Sequence, residues 1–558
     1  MLSQRRAKLR ARLLRCIGLK PNRCEPLPLR TGLIQCHDQV LLVEHVRYFS
    51  TWLKKDLYSL AKQPRLRVCL AHCLQGGNNG NVDSLRPRAT GALASRGFLI
   101  TQWIGLGIVL AAFVISRAIW RPLLYFRPLD GSFFEVVDPP LLANHLCQSL
   151  FYLHAEPPGF NLFLGLVLKL FPGRDSEAFS LLYAVMGLVT SISLYCLMAG
   201  LAVSTFISTT LTLLFILSPA SILFEEFLYN TYPAMTVLCI AAVCLQRFLR
   251  SGSRVAGIGF LISLDVVVLI HSTFQIVWMI VPLAAIYWFQ RERFRTIKWV
   301  SLGAVCLILL LQLKNAILFG AFTTSSWLGL HLASTTTMQI DPWDRLQLVK
   351  KHELSPFALI DRFSTLDLYE PLIGPTPKTG IPVLDQKEKR NPNYNNIAAI
   401  KIEKGYRRDA LWVITHHPTV WLLGMWRAYV LYMAPASDYY MLDFNRIKLG
   451  RLNATYSWLS PDCRLAGRVV PLMHVLGLPV IWMFGVATVT VKYVKERRLG
   501  SREVVVFFLV FTILYVTIVS NALEFSENQR FRFVIDPFNV VLVGLAIQWA
   551  FNFIRGEC

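Results

Sequence analysis

Four groups of residues in this chain have the types and spacing to do chemistry at a membrane. Asp130 and Asp138 sit close together, with Glu135 nearby, followed by His154. Glu225 and Glu226 are adjacent and near Tyr229; His271 closes an apolar run; Glu524, Glu527, Arg530 and Arg532 form a late cluster. A carboxylate at an apolar boundary can take a proton from a hydroxyl. Paired arginines can hold a phosphate with forked, charge-assisted hydrogen bonds, and an imidazole can add another donor. Ionisable groups at a bilayer are costly unless paired, solvated or functional, so a shared address would mark a candidate active site.

Each group also has a plainer reading. Asp138 precedes Pro139-Pro140, where it can begin a turn or cap a helix. Arg530 and Arg532 can anchor at lipid headgroups, with Glu524 and Glu527 as their counter-charges. Glu225, Glu226 and Tyr229 read as substrate contacts or as a solvated loop, and His271 as a substrate contact or a core histidine. Asp265 falls mid-span and needs a partner, for which Lys314 is the candidate. His416 and His417 would point apart on a helix, and no Asp/Glu/His cluster has ligand spacing, so neither a metal nor any other cofactor is expected.

The elements that must position these residues follow from composition. The chain has 558 residues, 54% hydrophobic and only 16% charged, where a soluble domain carries about 25% charged residues. Apolar runs of helix-spanning length recur near 98–119, 178–198, 202–218, 231–246, 256–271, 274–289, 298–319, 468–492, 502–521 and 534–552. They predict an all-α polytopic transmembrane helical bundle of about 10 to 12 transmembrane helices. Two further runs, 157–171 and 411–435, are expected to lie as amphipathic helices in the outer leaflet.

The net charge of +23 fits a membrane topology rather than nucleic-acid binding. Of the Lys and Arg residues, 18 precede residue 98 against 5 acids, and others concentrate in the loops 247–254, 291–298 and 492–502. The positive-inside rule places those loops and both termini in the cytoplasm. The expected organisation is a basic, partly disordered arm over 1–97, a transmembrane module over 98–319 with a first outer loop at 121–176, a large non-cytoplasmic segment over 320–467, and C-terminal transmembrane helices over 468–558. The outer side then collects Asp130, Asp138, Glu225, Glu226 and the late cluster. It also holds the only sequon, at Asn453, a candidate glycosylation site, and Cys147 and Cys463, which could pair as a disulfide.

The first outer loop carries the most specific text, from Arg127-Pro-Leu-Asp130 through Glu135-Val-Val-Asp138-Pro-Pro to His154-Ala-Glu156-Pro157-Pro158-Gly159-Phe160-Asn161. With Ser218-Pro219, the acidic and aromatic stretch Glu225 to Pro233, and Arg530-Phe531-Arg532, it resembles the GT-C superfamily of polytopic membrane glycosyltransferases, of the protein-mannosyltransferase-like kind. Many members carry two adjacent acids after the first span, whereas here Asp138 is followed by proline. The resemblance implies transfer of a sugar, with inversion, from a polyprenyl-phosphate-sugar lipid donor to a hydroxyl acceptor on a glycan, lipid or protein. It implies Asp138 or Asp130 as the catalytic base, Arg530, Arg532 and His154 as the donor phosphate site, and Glu225, Glu226, Tyr229 and His271 as substrate contacts. The site would face away from the cytoplasm of a bacterial inner membrane or endoplasmic reticulum. A transporter would instead show inverted repeats, and none is visible. A non-catalytic membrane scaffold would have no need of the outer acids.

Overall fold

The computed structural model describes residues 89–129, 133–385 and 393–556, with side chains from residue 100 onward. All of them belong to one compact unit, Val68–Cys558. Asp130 and the basic arm up to residue 88 lie outside the described residues.

Helices dominate, and the two strands Asp462–Leu465 and Arg468–Pro471 form a single antiparallel ribbon. Among the described residues, seven helices are long and apolar enough to cross a bilayer: Ile100–Trp120, Asp175–Gly200, Thr231–Ser251, Arg291–Phe319, Met473–Glu496, Ser501–Leu523 and Asn528–Ile554. The pair Thr205–Ile216 and Pro219–Glu225, bent by 55°, makes an eighth if counted as one span. The chain is thus an all-α, multi-pass integral membrane protein, but with seven to eight candidate spans in place of 10 to 12.

The lower count has local causes. The runs 256–271 and 274–289 become Arg254–Ile270 and Ile276–Phe289, of 17 and 14 residues, separated by an extended His271 and a turn. At about 1.5 Å per residue the shorter reaches only about 21 Å, against about 30 Å of hydrocarbon. The run 411–435, expected in the outer leaflet and not as a span, divides into Ala399–His416 and Pro418–Met433, because a proline lacks the N–H and disfavours a helical residue before it. The run 468–492 keeps its span as Met473–Glu496, although its start is spent on the ribbon, whose turn residues Ala466 and Gly467 both have positive φ, as a type I′ hairpin requires. The run 157–171 does form one short helix, Pro158–Leu170.

Thr231–Ser251 is the most buried span and packs against Asp175–Gly200, Arg254–Ile270, Ser501–Leu523 and Asn528–Ile554. The three basic loops meet at one end of this bundle. Ser501 Oγ donates to the Leu249 carbonyl at 2.9 Å, Gln290 Nε2 to that of Leu499 at 2.9 Å, and Arg293 to that of Arg250 at 3.5 Å. Helix direction then carries Glu225, His271, Phe319 and Leu523 to the other end.

At that other end the break at Ser218-Pro219 is held by a buried ion pair. Ser218 caps the second half through Ser221 N–H, with Pro219 at its first position. Arg117 donates to Glu225 Oε2 from Nη2 at 2.9 Å and from Nε at 3.0 Å, and its Nη1 satisfies the Ile216 carbonyl left by the break at 2.6 Å. Tyr232 OH adds a bond to the same carboxylate at 3.0 Å. Arg117→Met leaves Glu225 buried without its counter-charge and is expected to cost about 3–5 kcal/mol. Thermal unfolding in detergent checks this, with Arg117→Met/Glu225→Met expected to recover most of the loss; equal stability of Arg117→Met and wild type would remove the pair from the fold's supports.

Candidate functional site

The conserved geometry of a helix separates two residues that the sequence reading joined. Arg530 and Arg532 lie two apart on Asn528–Ile554 and point in different directions. Arg532 turns to the end of Pro418–Met433, donating from Nη1 to the carbonyls of Tyr432 at 2.6 Å and Ala434 at 2.8 Å, while its Nε faces Asp536 at 3.3 Å. Its Nη1 closes a helix terminus, while its Nε, like that of Arg530, is buried without a hydrogen bond.

Arg530 becomes the centre of a different cluster. Its guanidinium, 5% exposed, pairs with Glu527, donates to Asn230 Oδ1 at 3.3 Å, and lies over the rings of Tyr229 at 4.6 Å and Phe531 at 4.8 Å. Cation–π contact of this kind strengthens when water is excluded. Tyr439 OH and Tyr440 OH donate to Glu527 Oε1 at 2.9 and 3.2 Å, and Tyr229 OH donates to Glu135. Glu156 lies within electrostatic reach of Glu135, Arg530 and Glu527. One buried cation therefore faces three carboxyl groups.

Neighbouring segments hold these groups in place. Pro158 opens its helix, and Gly159 lets the chain approach the Leu269 carbonyl, which a Cβ would meet at 2.6 Å. Asn161 accepts from Val137 N–H at 2.9 Å and donates to the Glu135 carbonyl at 3.0 Å, so this helix fixes the acidic loop. Ahead of Glu156, Asn395 Oδ1 accepts the N–H groups of His154 and Ala155 at 2.8 and 3.0 Å, and Ser325 Oγ donates to the Ala155 carbonyl at 2.6 Å.

His154 belongs to that clamp. Its ring nitrogens face Ser326 Oγ at 2.8 Å and the Asn395 carbonyl at 3.0 Å, and burial pushes its imidazole down to about 3, so it is a neutral bridge and carries no charge for a phosphate. Glu225 and Glu226 are likewise engaged, with Arg117 and Arg121, the latter pair at 3.3 Å. Tyr229 joins the Arg530 cluster. His271 stands beside it, its ring 5.8 Å from that of Phe531. Asp138 is buried at the N-cap position of Pro139–Asn144 without bonding that helix through its side chain, and shares a narrow cleft with Glu135 and Asn395.

Other expectations resolve differently. Glu524 is not the counter-charge of Arg530: Arg362 grips it with two bonds of 2.8 and 2.6 Å and His331 adds a third, so Arg362 and His331 hold its carboxyl well below the usual range despite burial. Lys314 donates to the carbonyls of Phe151 and Leu153 at 2.8 and 2.9 Å and leaves Asp265 Oδ1 without a partner. Cys147 and Cys463 are free thiols. Asn453 lies half-buried on the helix Gly450–Leu459. Among the described residues, no three His, Cys, Asp or Glu side chains gather as a metal site would require.

Glu135 and Glu156 are the functional candidates that the sequence reading passed over. Both stood in the quoted motif, but only the fold brings them to an arginine some four hundred residues away. Burial first, and then the neighbouring Glu135, pushes the Glu156 carboxyl up to about 8; burial and Glu527 raise Glu135 as well. Burial and the mutual repulsion of Glu135 and Glu156 therefore favour their protonated forms. No protein-family model matches the chain, and no curated protein matches it.

A raised carboxyl fixes the sign of a stability effect. The folded chain keeps the Glu156 proton while the unfolded chain loses it near the ordinary value of 4.5, so this contribution is complete below that pH and is lost as pH rises towards about 8. Thermal unfolding in detergent across this range should show wild type falling relative to Glu156→Gln, which lacks the titration and should be the more stable by several degrees near pH 8. Parallel curves would mean that Glu156 titrates normally.

Proposed function

We propose that this protein is a membrane glycosyltransferase of the GT-C type, moving a sugar from a polyprenyl-phosphate donor to a hydroxyl acceptor at the non-cytoplasmic face. The observation that carries the reading is Arg530. It is a permanently charged group, enclosed by aromatic rings and carboxyl groups at the end of a membrane-long helix, and its buried Nε has no hydrogen-bond partner. A permanent cation there suits the phosphate that becomes the leaving group, and low local polarity strengthens its hold as charge develops.

Asp138 acts as the base in this reading. It takes the acceptor proton as the hydroxyl attacks the anomeric carbon, from a cleft that Glu135 shares. Direct displacement inverts that carbon. Tyr229 and Tyr439 enclose the arginine, and His271 borders the donor side. The bundle end opposite the three basic loops is the non-cytoplasmic side, by the positive-inside rule, with both termini cytoplasmic. The acceptor is a glycan, lipid or protein hydroxyl.

Transfer from polyprenyl-phosphate mannose and glucose by the purified chain tests the reading. Asp138→Asn should lower turnover by about 10²–10⁴-fold with donor binding retained. Arg530→Gln should weaken use of the lipid-linked donor more than use of the acceptor. Full transfer by Asp138→Asn would remove Asp138 as the base, and unchanged donor dependence in Arg530→Gln would remove the phosphate site.

A further inference from the structure

Among the buried polar atoms without partners near Arg530 are three from separate segments: Arg530 Nε, His271 Nε2 and Glu156 Oε2. All three residues are at least nine-tenths buried. Buried polar atoms are nearly always satisfied, and three unsatisfied ones in one neighbourhood indicate a site shaped for something else. The segments are close, because Ser272 acts electrostatically on the Glu156 carboxyl and the His271 ring packs against Phe531, next to Arg530.

Their protonation fixes what the site can hold. Thr273 N–H donates to His271 Nδ1 at 3.4 Å, so the neutral ring carries its hydrogen on Nε2. Arg530 Nε is also a donor. A ligand therefore brings acceptor oxygens to these two atoms, and a carboxyl group stands beside them.

We propose that Glu156 is the acid that protonates the departing lipid phosphate, with Arg530 Nε and His271 Nε2 holding that phosphate's oxygens. This rests on the glycosyltransferase reading and adds a residue to it. As the acceptor oxygen bonds to the anomeric carbon, the bond from that carbon to the phosphate oxygen breaks and its electron pair stays on the phosphate. The acceptor proton passes to Asp138 and the Glu156 proton to the phosphate, which leaves as a hydrogen phosphate monoester. Exchange with solvent then removes a proton from Asp138 and returns one to Glu156, so the cycle balances.

Burial keeps the Glu156 proton in place at neutral pH, with the carboxyl pushed up to about 8. The charged and titratable groups facing it are Glu135 from the acidic loop and Glu527 and Arg530 from the last helix and its N-terminal turn, with His271 on the neighbouring turn.

Farnesyl phosphate binding to the purified full-length chain, followed from about pH 6 to about pH 9.5, tests this without knowledge of the sugar. Wild type should lose about tenfold or more in affinity above about pH 8, as a Glu156 carboxylate comes to face the phosphate. Glu156→Gln should bind without that loss, and its transfer from polyprenyl-phosphate mannose should fall by about 10²–10³-fold. The transfer deficit should shrink with a mannosyl 4-nitrophenyl phosphate donor, whose leaving phosphate is less basic. The same high-pH loss in Glu156→Gln overturns the proposal for Glu156 and leaves the glycosyltransferase reading standing. Absence of farnesyl phosphate binding in wild type overturns both. Ser272→Ala provides a second variant: it removes a hydroxyl that favours the carboxylate, so the high-pH limb should move upward, and an unmoved limb counts against Glu156.

Discussion

Placing an arginine in a low-polarity interior is the constraint on which the rest of this end of the molecule depends. Arg530 cannot shed its charge, so its surroundings must supply compensation. Glu527 gives a direct ion pair, Tyr229 and Phe531 give ring faces, and Asn230 gives a carbonyl oxygen. These come from the last helix and from the stretch that joins the broken span to Thr231–Ser251, so compensating one charge ties the C-terminal helix to the centre of the bundle. The same compensation is incomplete at Nε, and that gap is where the chemistry of the proposed reaction enters.

A second layer of charge keeps this arrangement apart from the bundle's structural ion pairs. Arg117 with Glu225, Arg121 with Glu226, and Arg362 with Glu524 are matched pairs whose hydrogen-bonding capacity is turned on each other or on freed carbonyls. Such pairs set geometry and add little net stability, because desolvation offsets much of their attraction. The Arg530 cluster differs in stoichiometry: three carboxyl groups share one cation, Glu527 pairs with it, and burial favours the protonated forms of Glu135 and Glu156. An excess of acid is poor structural economy and good chemistry.

The sequence showed the class of fold and much of the site's raw material. Long apolar runs and clustered basic loops are read directly from composition, since a bilayer imposes length and sidedness on every span. Span number was less legible, because hydropathy does not see the turn after His271 or the break at Ser218-Pro219. Within the site, Tyr229, Arg530 and His271 were found as polar or aromatic residues out of place in apolar text. Arg532 and His154 looked equally out of place, yet both serve backbone carbonyls or loop contacts, a difference only tertiary geometry reveals. Glu135 and Glu156 were hidden among other acids, and Arg362, the true partner of Glu524, lay in a polar segment with no pattern to single it out. Asp130 falls outside the described residues, so the choice between it and Asp138 rests on Asp138's buried place beside Glu135.

Dividing the two late arginines also narrows the proposed donor. A grip of two adjacent guanidinium groups would suit a pyrophosphate link, with two or more negative charges. Here Arg532 is committed to the carbonyls of Tyr432 and Ala434, and Arg362 to Glu524, which leaves Arg530 with neutral donors around it. One cation already shared with Glu527 matches a single negative charge, the charge of a sugar joined to its lipid through one phosphate. When that link breaks, the phosphate becomes a monoester able to carry a second charge, for which the described surroundings offer no second free arginine. A proton is the remaining means of compensation, and burial of Glu156 and Glu135 beside Arg530 favours their holding one.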